Sequence, residues 1–94
     1  MINVILPSQL ESYTEGLRDI TLDLGGDESQ SLKLFDVIKA LDERFPGLAF
    51  RVVDEQKSIR RHIAIFVGET LVRDLQVPLK GGERVHIVGA LSGG

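Results

Sequence analysis

The chain has 94 residues with 43% hydrophobic and 27% charged content, a size that fits one domain and hardly two. It contains no Cys, which excludes disulfides, thiolate metal sites, Fe–S clusters and cysteine nucleophiles. A net charge of −3 argues against a nucleic-acid partner.

The opening Met1-Ile2-Asn3-Val4 lacks a basic segment. The longest apolar run, Ile63–Val67, is far short of the ~20 residues of a membrane span. A cytoplasmic protein with no membrane partner is expected. Ile2, Val4 and Leu6 alternate with Asn3 and Ile5, and Pro7 stops the pattern, which predicts a first strand. A polar stretch over residues 8–18 holds the isolated Leu10 and Tyr13. Residues 19–24 alternate again, with Ile20, Leu22 and Leu24 on one face and Gly25-Gly26-Asp27 closing the run. An antiparallel pair with a loose connection is predicted.

The period then changes. Leu34, Val37, Ile38, Leu41 and Phe45 follow the spacing of a helix with one buried stripe, with Ser31 as N-cap. Phe45-Pro46-Gly47 ends it, because the residue before proline is pushed out of the helical region. Residues 48–61 read as a long connection in which Phe50, Val52 and Val53 form a short extended piece. Ile63, Ile65 and Val67 alternate with His62, Ala64 and Phe66 in a third strand ended by Gly68, and Leu71-Val72 reads as a short edge strand. Pro78-Leu79-Lys80-Gly81-Gly82-Glu83 predicts a turn with glycines at positive φ. Val85, Ile87 and Gly89 alternate with His86, Val88 and Ala90 in the last strand. Leu91, Ser92, Gly93 and Gly94 carry no cap and little bulk, and read as a free tail. One helix with a single apolar stripe covers one face of one sheet, so the pattern predicts a two-layer α+β domain over residues 1–90, with residues 91–94 as tail.

Side-chain chemistry finds little footing. His62 and His86 have no carboxylate or Cys at ligand spacing, so strand-surface histidines are expected and no metal. The acidic residues of the loops lack calcium-site spacing, and neither Gly25-Gly26 nor Gly81-Gly82 opens a phosphate loop. No serine sits in a nucleophile elbow.

Ten glycines among 94 residues put a pair at the end of about one chain in a hundred by chance. Here the pair follows a ββαβ(β)β pattern and a Pro-Leu-Lys-Gly-Gly-Glu turn. Val77-Pro78-Leu79-Lys80-Gly81-Gly82-Glu83-Arg84-Val85-His86-Ile87, then Ala90-Leu91-Ser92-Gly93-Gly94, make the chain resemble the ubiquitin-like sulfur carriers of the ThiS/MoaD family. The helix end Leu41-Asp42-Glu43-Arg44-Phe45-Pro46-Gly47-Leu48 and the strand Ile63–Val67 fit as well. Pro7, Leu10, and Pro46-Gly47-Leu48 through Arg51, Asp54 and Arg60-Arg61 make it most similar to the longer, CysO-like form. Two positions depart from the pattern: Gly68 stands where Asn is frequent, and Val88-Gly89-Ala90-Leu91 replaces a Pro-Ala-Val or Pro-Pro-Val segment.

The resemblance implies a β-grasp fold: a mixed sheet of four to five strands, one main helix on one face, and a flexible C-terminal Gly-Gly tail. It implies a carrier rather than an enzyme, with no bound cofactor and no catalytic residue of its own. The Gly94 carboxylate would be adenylated by a ubiquitin-activating-like enzyme using ATP and Mg²⁺. Leu91, Ser92 and Gly93 would thread into that enzyme. A sulfur donor such as a cysteine desulfurase or rhodanese-type protein would convert Gly94 to a thiocarboxylate. A downstream sulfur-accepting synthase would consume it, in cysteine or specialised sulfur metabolism ahead of molybdopterin or thiamine, and a metal-dependent peptidase is allowed among the partners. Two alternatives stand beside this: a protein modifier conjugated through Gly94, and a β-grasp interaction domain with a coincidental Gly-Gly. Strand alternation adds a docking face. If Ile63, Ile65, Val67, Val85 and Ile87 face the helix, then Ala64, Phe66, His86 and Val88 face a partner. The competing reading folds residues 8–18 over that face, or reverses the register with a bulge.

Overall fold

The computed structural model describes residues 2–23, 32–79 and 82–89. Strand β1 (Ile2–Ile5) pairs antiparallel with β2 (Asp19–Leu22) through Val4↔Ile20 and Ile2↔Leu22. Between them, residues 8–13 form a 3₁₀ helix. A two-residue strand β3 (Leu32–Lys33) leads into helix α1 (Leu34–Arg44) and a short helix α2 (Leu48–Val52). Strands β4 (Ile63–Val67), β5 (Thr70–Val72), β6 (Pro78–Leu79) and β7 (Arg84–Gly89) follow. The main sheet has five strands in the order β2-β1-β7-β4-β5, and β3 pairs with β6 in a separate two-stranded piece. β1 and β7 run parallel while the other main-sheet pairs are antiparallel, so the sheet is mixed.

Alternation along the strands decides the core. Ile2, Val4, Ile20, Leu22, Ile63, Ile65, Val85 and Ile87 are all buried. They meet Leu34, Val37, Ile38 and Leu41 of α1 and Leu48 and Val52 of α2 in one cluster. The apolar stripe of α1 spends its whole face on this layer, as one helix on one sheet requires. Val67, expected inside, is only half-buried at the end of β4.

Three local expectations are corrected. Helix α1 begins at Leu34 with Lys33 as its N-cap. Ser31, proposed as the cap, precedes residues drawn into the pairs Leu32↔Leu79 and Lys33↔Pro78, and itself lies outside the described residues. The Lys33 amide donates to Asp36 Oδ2 at 2.9 Å, which satisfies one free helix-end donor. Residues 48–52 are helical rather than extended. Asp42 Oδ1 accepts the amides of Gly47 and Ala49, both at 3.1 Å, and so caps α2 from the last turns of α1. Gly47 enters α2 at φ +95°, a conformation costly to residues with a Cβ. Finally, the second strand stops at Leu22; Leu24 and the Gly25-Gly26 turn lie outside the described residues, as do Lys80 and Gly81. Gly82 does take positive φ, at +86°.

Candidate docking face and the root of the tail

The outer face of the main sheet is built by the residues left over when the core has been filled. Ala64 pairs with Val88 and Phe66 with His86 across β4 and β7, so all four residues of the expected docking face share one side of the sheet. Val88 and His86 are exposed, and Ala64 and Phe66 are half-buried. The registers extend this group in both directions. His86 also pairs with Ile5 of β1, and Phe66 with Leu71 of β5. Ile5, His86, Phe66 and Leu71 therefore form one row across four strands, with Leu71 48% exposed. Sequence reasoning missed Ile5 and Leu71 as members of this face. Ile5 carried the signal, since it alternates with buried Ile2, Val4 and Leu6, but strand order across the sheet is not a local property.

A polar chain bounds one end of the row. Arg84 Nε donates to Asn3 Oδ1 at 3.0 Å, and Asn3 Nδ2 donates to Asp19 Oδ1. The segment over residues 8–18 reaches the edge of the outer face, where Ser8, Gln9 and Arg18 line a hollow together with His86 and Val88. Its Leu10 is buried in the core cluster, and Tyr13 packs toward α2, accepting from Arg51 Nε with the guanidinium 5.1 Å from the ring centre. The only buried polar side chain among the described residues, Thr14, is satisfied by donating to Leu17 O at 2.6 Å. The described strands carry the expected alternation, with inner and outer residues as assigned from sequence; Val67, half-buried, still packs against the core beside Val85.

His62 and His86 are not brought together. His86 pairs with Phe66, four residues along β4 from His62, a separation of roughly 13 Å at the ~3.3 Å rise of a strand. Among the described residues, no group of three His, Cys, Asp or Glu side chains converges. Likewise, no helix is long and apolar enough to cross a membrane. A hollow of about 510 Å³ lies elsewhere, between α1, α2 and the following turn, lined by Phe35, Ala49, Phe50, Val53 and Leu75 among others. The tail residues Leu91, Ser92, Gly93 and Gly94 lie outside the described residues; the described chain ends with Gly89, on the same strand as His86 and Val88.

The model of the ThiS family matches residues 13–94, which includes α1, the outer-face residues of β4, β5 and β7, and the closing Gly-Gly. The chain belongs to the ThiS family. It is a ubiquitin-like sulfur carrier, of a type that serves as substrate to partner enzymes and is not itself a catalyst. Solved structures agree on the fold. CysO in the BexX/CysO complex of Amycolatopsis orientalis superposes with a TM-score of 0.81 at 24% identity, each chain covering 100% of the other. CysO of Mycobacterium tuberculosis gives a TM-score of 0.81 at 25% identity over 96% of this chain and 99% of that one. SAMP1 of Haloferax volcanii gives 0.79 at 22% identity over 99% and 98%. Comparison with curated proteins by sequence returns no match. The β-grasp expected of the ThiS-family chain is thus observed, in its five-stranded form.

Proposed function

We propose that this carrier is charged at Gly94. The reading is carried by one observation: the family match runs through β7 into Leu91-Ser92-Gly93-Gly94 without a break. A terminal carboxyl has a pKa of ~3.5 and is an anion at neutral pH, able to attack the α-phosphorus of ATP. One carboxylate oxygen bonds to that phosphorus as pyrophosphate leaves, giving an acyl adenylate. The ATP, its Mg²⁺ and the cationic groups that offset phosphate charge belong to the adenylating partner. A hydrosulfide then attacks the carbonyl carbon, AMP leaves with its bridging oxygen, and a thiocarboxylate remains. With a persulfide donor the product is an acyl disulfide, and a thiol must then attack the donor's own sulfur, forming a disulfide with the donor as the thiocarboxylate leaves.

Two terminal glycines suit this chemistry because no Cβ crowds the reacting carbon or the tunnel that admits it. From Gly89 to Gly94 the chain reaches at most ~16 Å, which lets the folded domain stay outside the site while the carboxylate enters it. The row of Ile5, His86, Phe66 and Leu71, with Val88 and Ala64, is the surface by which the adenylating enzyme holds the domain. CysO is in complex with BexX in the Amycolatopsis structure, which supports a protein partner for this chain. The sulfur donor is a desulfurase or rhodanese-type protein, and the acceptor a synthase of cysteine or specialised sulfur metabolism. ATP supply places the whole sequence of steps in the cytoplasm. Mass spectrometry after incubation with ATP, the adenylating enzyme and a sulfur source is expected to show one oxygen of Gly94 replaced by sulfur. Equal sulfur uptake by a chain lacking Gly94 would refute this.

The likeness to small archaeal modifier proteins favours a second reading, in which activated Gly94 is passed to a lysine amine as an isopeptide. Both readings share the adenylate. Covalent adducts on immunoblots of lysates, absent when Gly94 is deleted, would select the second.

A further inference from the structure

At the end of β7 the carbonyl of Gly89 points to a side of the strand where, among the described residues, no strand lies beside it. The direction follows from the ladder. Glu83 O accepts from the Asn3 amide at 3.3 Å, on the β1 side, whereas Arg84 O accepts from the Gly68 amide at 2.9 Å, on the β4 side. Backbone groups alternate sides along a strand, so Val85, Ile87 and Gly89 address β1. Yet β1 reaches only to Ile5, whose partner is His86, and Pro7 two residues later has no amide to offer.

Gln9 supplies the missing donor. Its side-chain Nε2 donates to Gly89 O at 3.4 Å, from a position 80 residues away in sequence. The side chain gets this close because residue 89 has no Cβ. One placed there would stand 3.1 Å from Gln9 Cδ and Oε1 and 3.2 Å from Nε2, tighter than ordinary packing. Gly89 is not at positive φ, so a side chain placed there would meet the tip of Gln9 rather than backbone strain. The 3₁₀ segment that carries Gln9 is anchored through buried Leu10, with buried Thr14 as its C-cap, which fixes the backbone from which the Gln9 side chain extends.

We propose that Gln9 is a positioning residue for the tail. By holding Gly89 it fixes the direction in which the chain leaves the sheet toward Gly94. A root held in one direction leaves less conformational freedom to be lost when the tail enters a partner. The role in charging rests on the reading that Gly94 is the reacting group, and deepens it by naming what aims that group.

The test uses the full chain and two variants. Gln9→Glu keeps the size of the side chain but removes the donor; Gln9→Lys keeps a donor of comparable reach. Backbone ¹⁵N relaxation is measured at Gly89, Ala90 and Leu91, beside ATP–pyrophosphate exchange by the adenylating enzyme at varied carrier concentration. In Gln9→Glu the order parameters at these three residues are expected to fall. The KM for the carrier is expected to rise about two- to tenfold, the range of a single hydrogen bond, with kcat and thermal midpoint unchanged. Gln9→Lys is expected to keep wild-type values in both measurements. Unchanged order parameters in Gln9→Glu would overturn the proposal, as would a KM rise that Gln9→Lys shares in full. A wild-type chain that supports no pyrophosphate exchange would instead sink the adenylation reading, while the relaxation data still decide the role of Gln9.

Discussion

Ile65 and Phe66 are neighbours on β4 and belong to different worlds. Ile65 is fully buried, paired with Ile87 of β7 and Val72 of β5, and packed under α1. Phe66, larger and more apolar in area, faces away from the helix beside His86 and Leu71 and remains half-exposed. Burial here follows side of the sheet, not hydrophobicity. One helix layer covers one face, and the five-stranded sheet has two. The inner face spends its apolar surface on stability. The outer face keeps a row of Ile5, Phe66 and Leu71 in partial contact with water, and it is this row that the proposed reading gives to the adenylating enzyme.

The contrast is open to being broken by substitution. Ile65→Ala is expected to have the largest effect, a loss of about 2–5 kcal/mol in urea denaturation, because it empties space among side chains that cannot collapse fully. Phe66→Asp is expected to cost about 1 kcal/mol of stability, the span of strand preference, and to weaken binding to the adenylating enzyme at least about tenfold by titration calorimetry. A stability loss matching that of Ile65→Ala would put Phe66 in the core and erase the distinction. The smallest effect is expected from Leu71→Ser, at the rim of the row on the edge strand: stability within ~0.5 kcal/mol of wild type and binding weaker by about two- to fivefold. A binding loss larger than that of Phe66→Asp would move the centre of the docking face toward β5.

Much of this contrast was legible in the residues themselves. Period-two alternation is local, so the opposite facing of Ala64 and Phe66 against Ile63 and Ile65, and of His86 and Val88 against Val85 and Ile87, could be read directly. Helix α1 was equally plain from its stripe. The segment at 48–52 was not, because the β-branched Val52 and Val53 favour strands. The helix there rests on Asp42, six residues before its start, capping it through space. The same limit hid Leu71 and Ile5. Each alternates correctly, but only the strand order brings β1 and β5 to the two sides of β7 and β4.

The sequence by itself therefore determined helix α1, the alternation of the main strands and, through its motifs, the ThiS-family character of the chain, since all of these are written in spacing and short motifs. Tertiary structure alone decided which residues meet. It lined Ile5, His86, Phe66 and Leu71 into one row and set Gln9 against Gly89. The reason is physical: both depend on where β1 stops beside β7, and a contact between residues 80 positions apart leaves no period in the chain to be read.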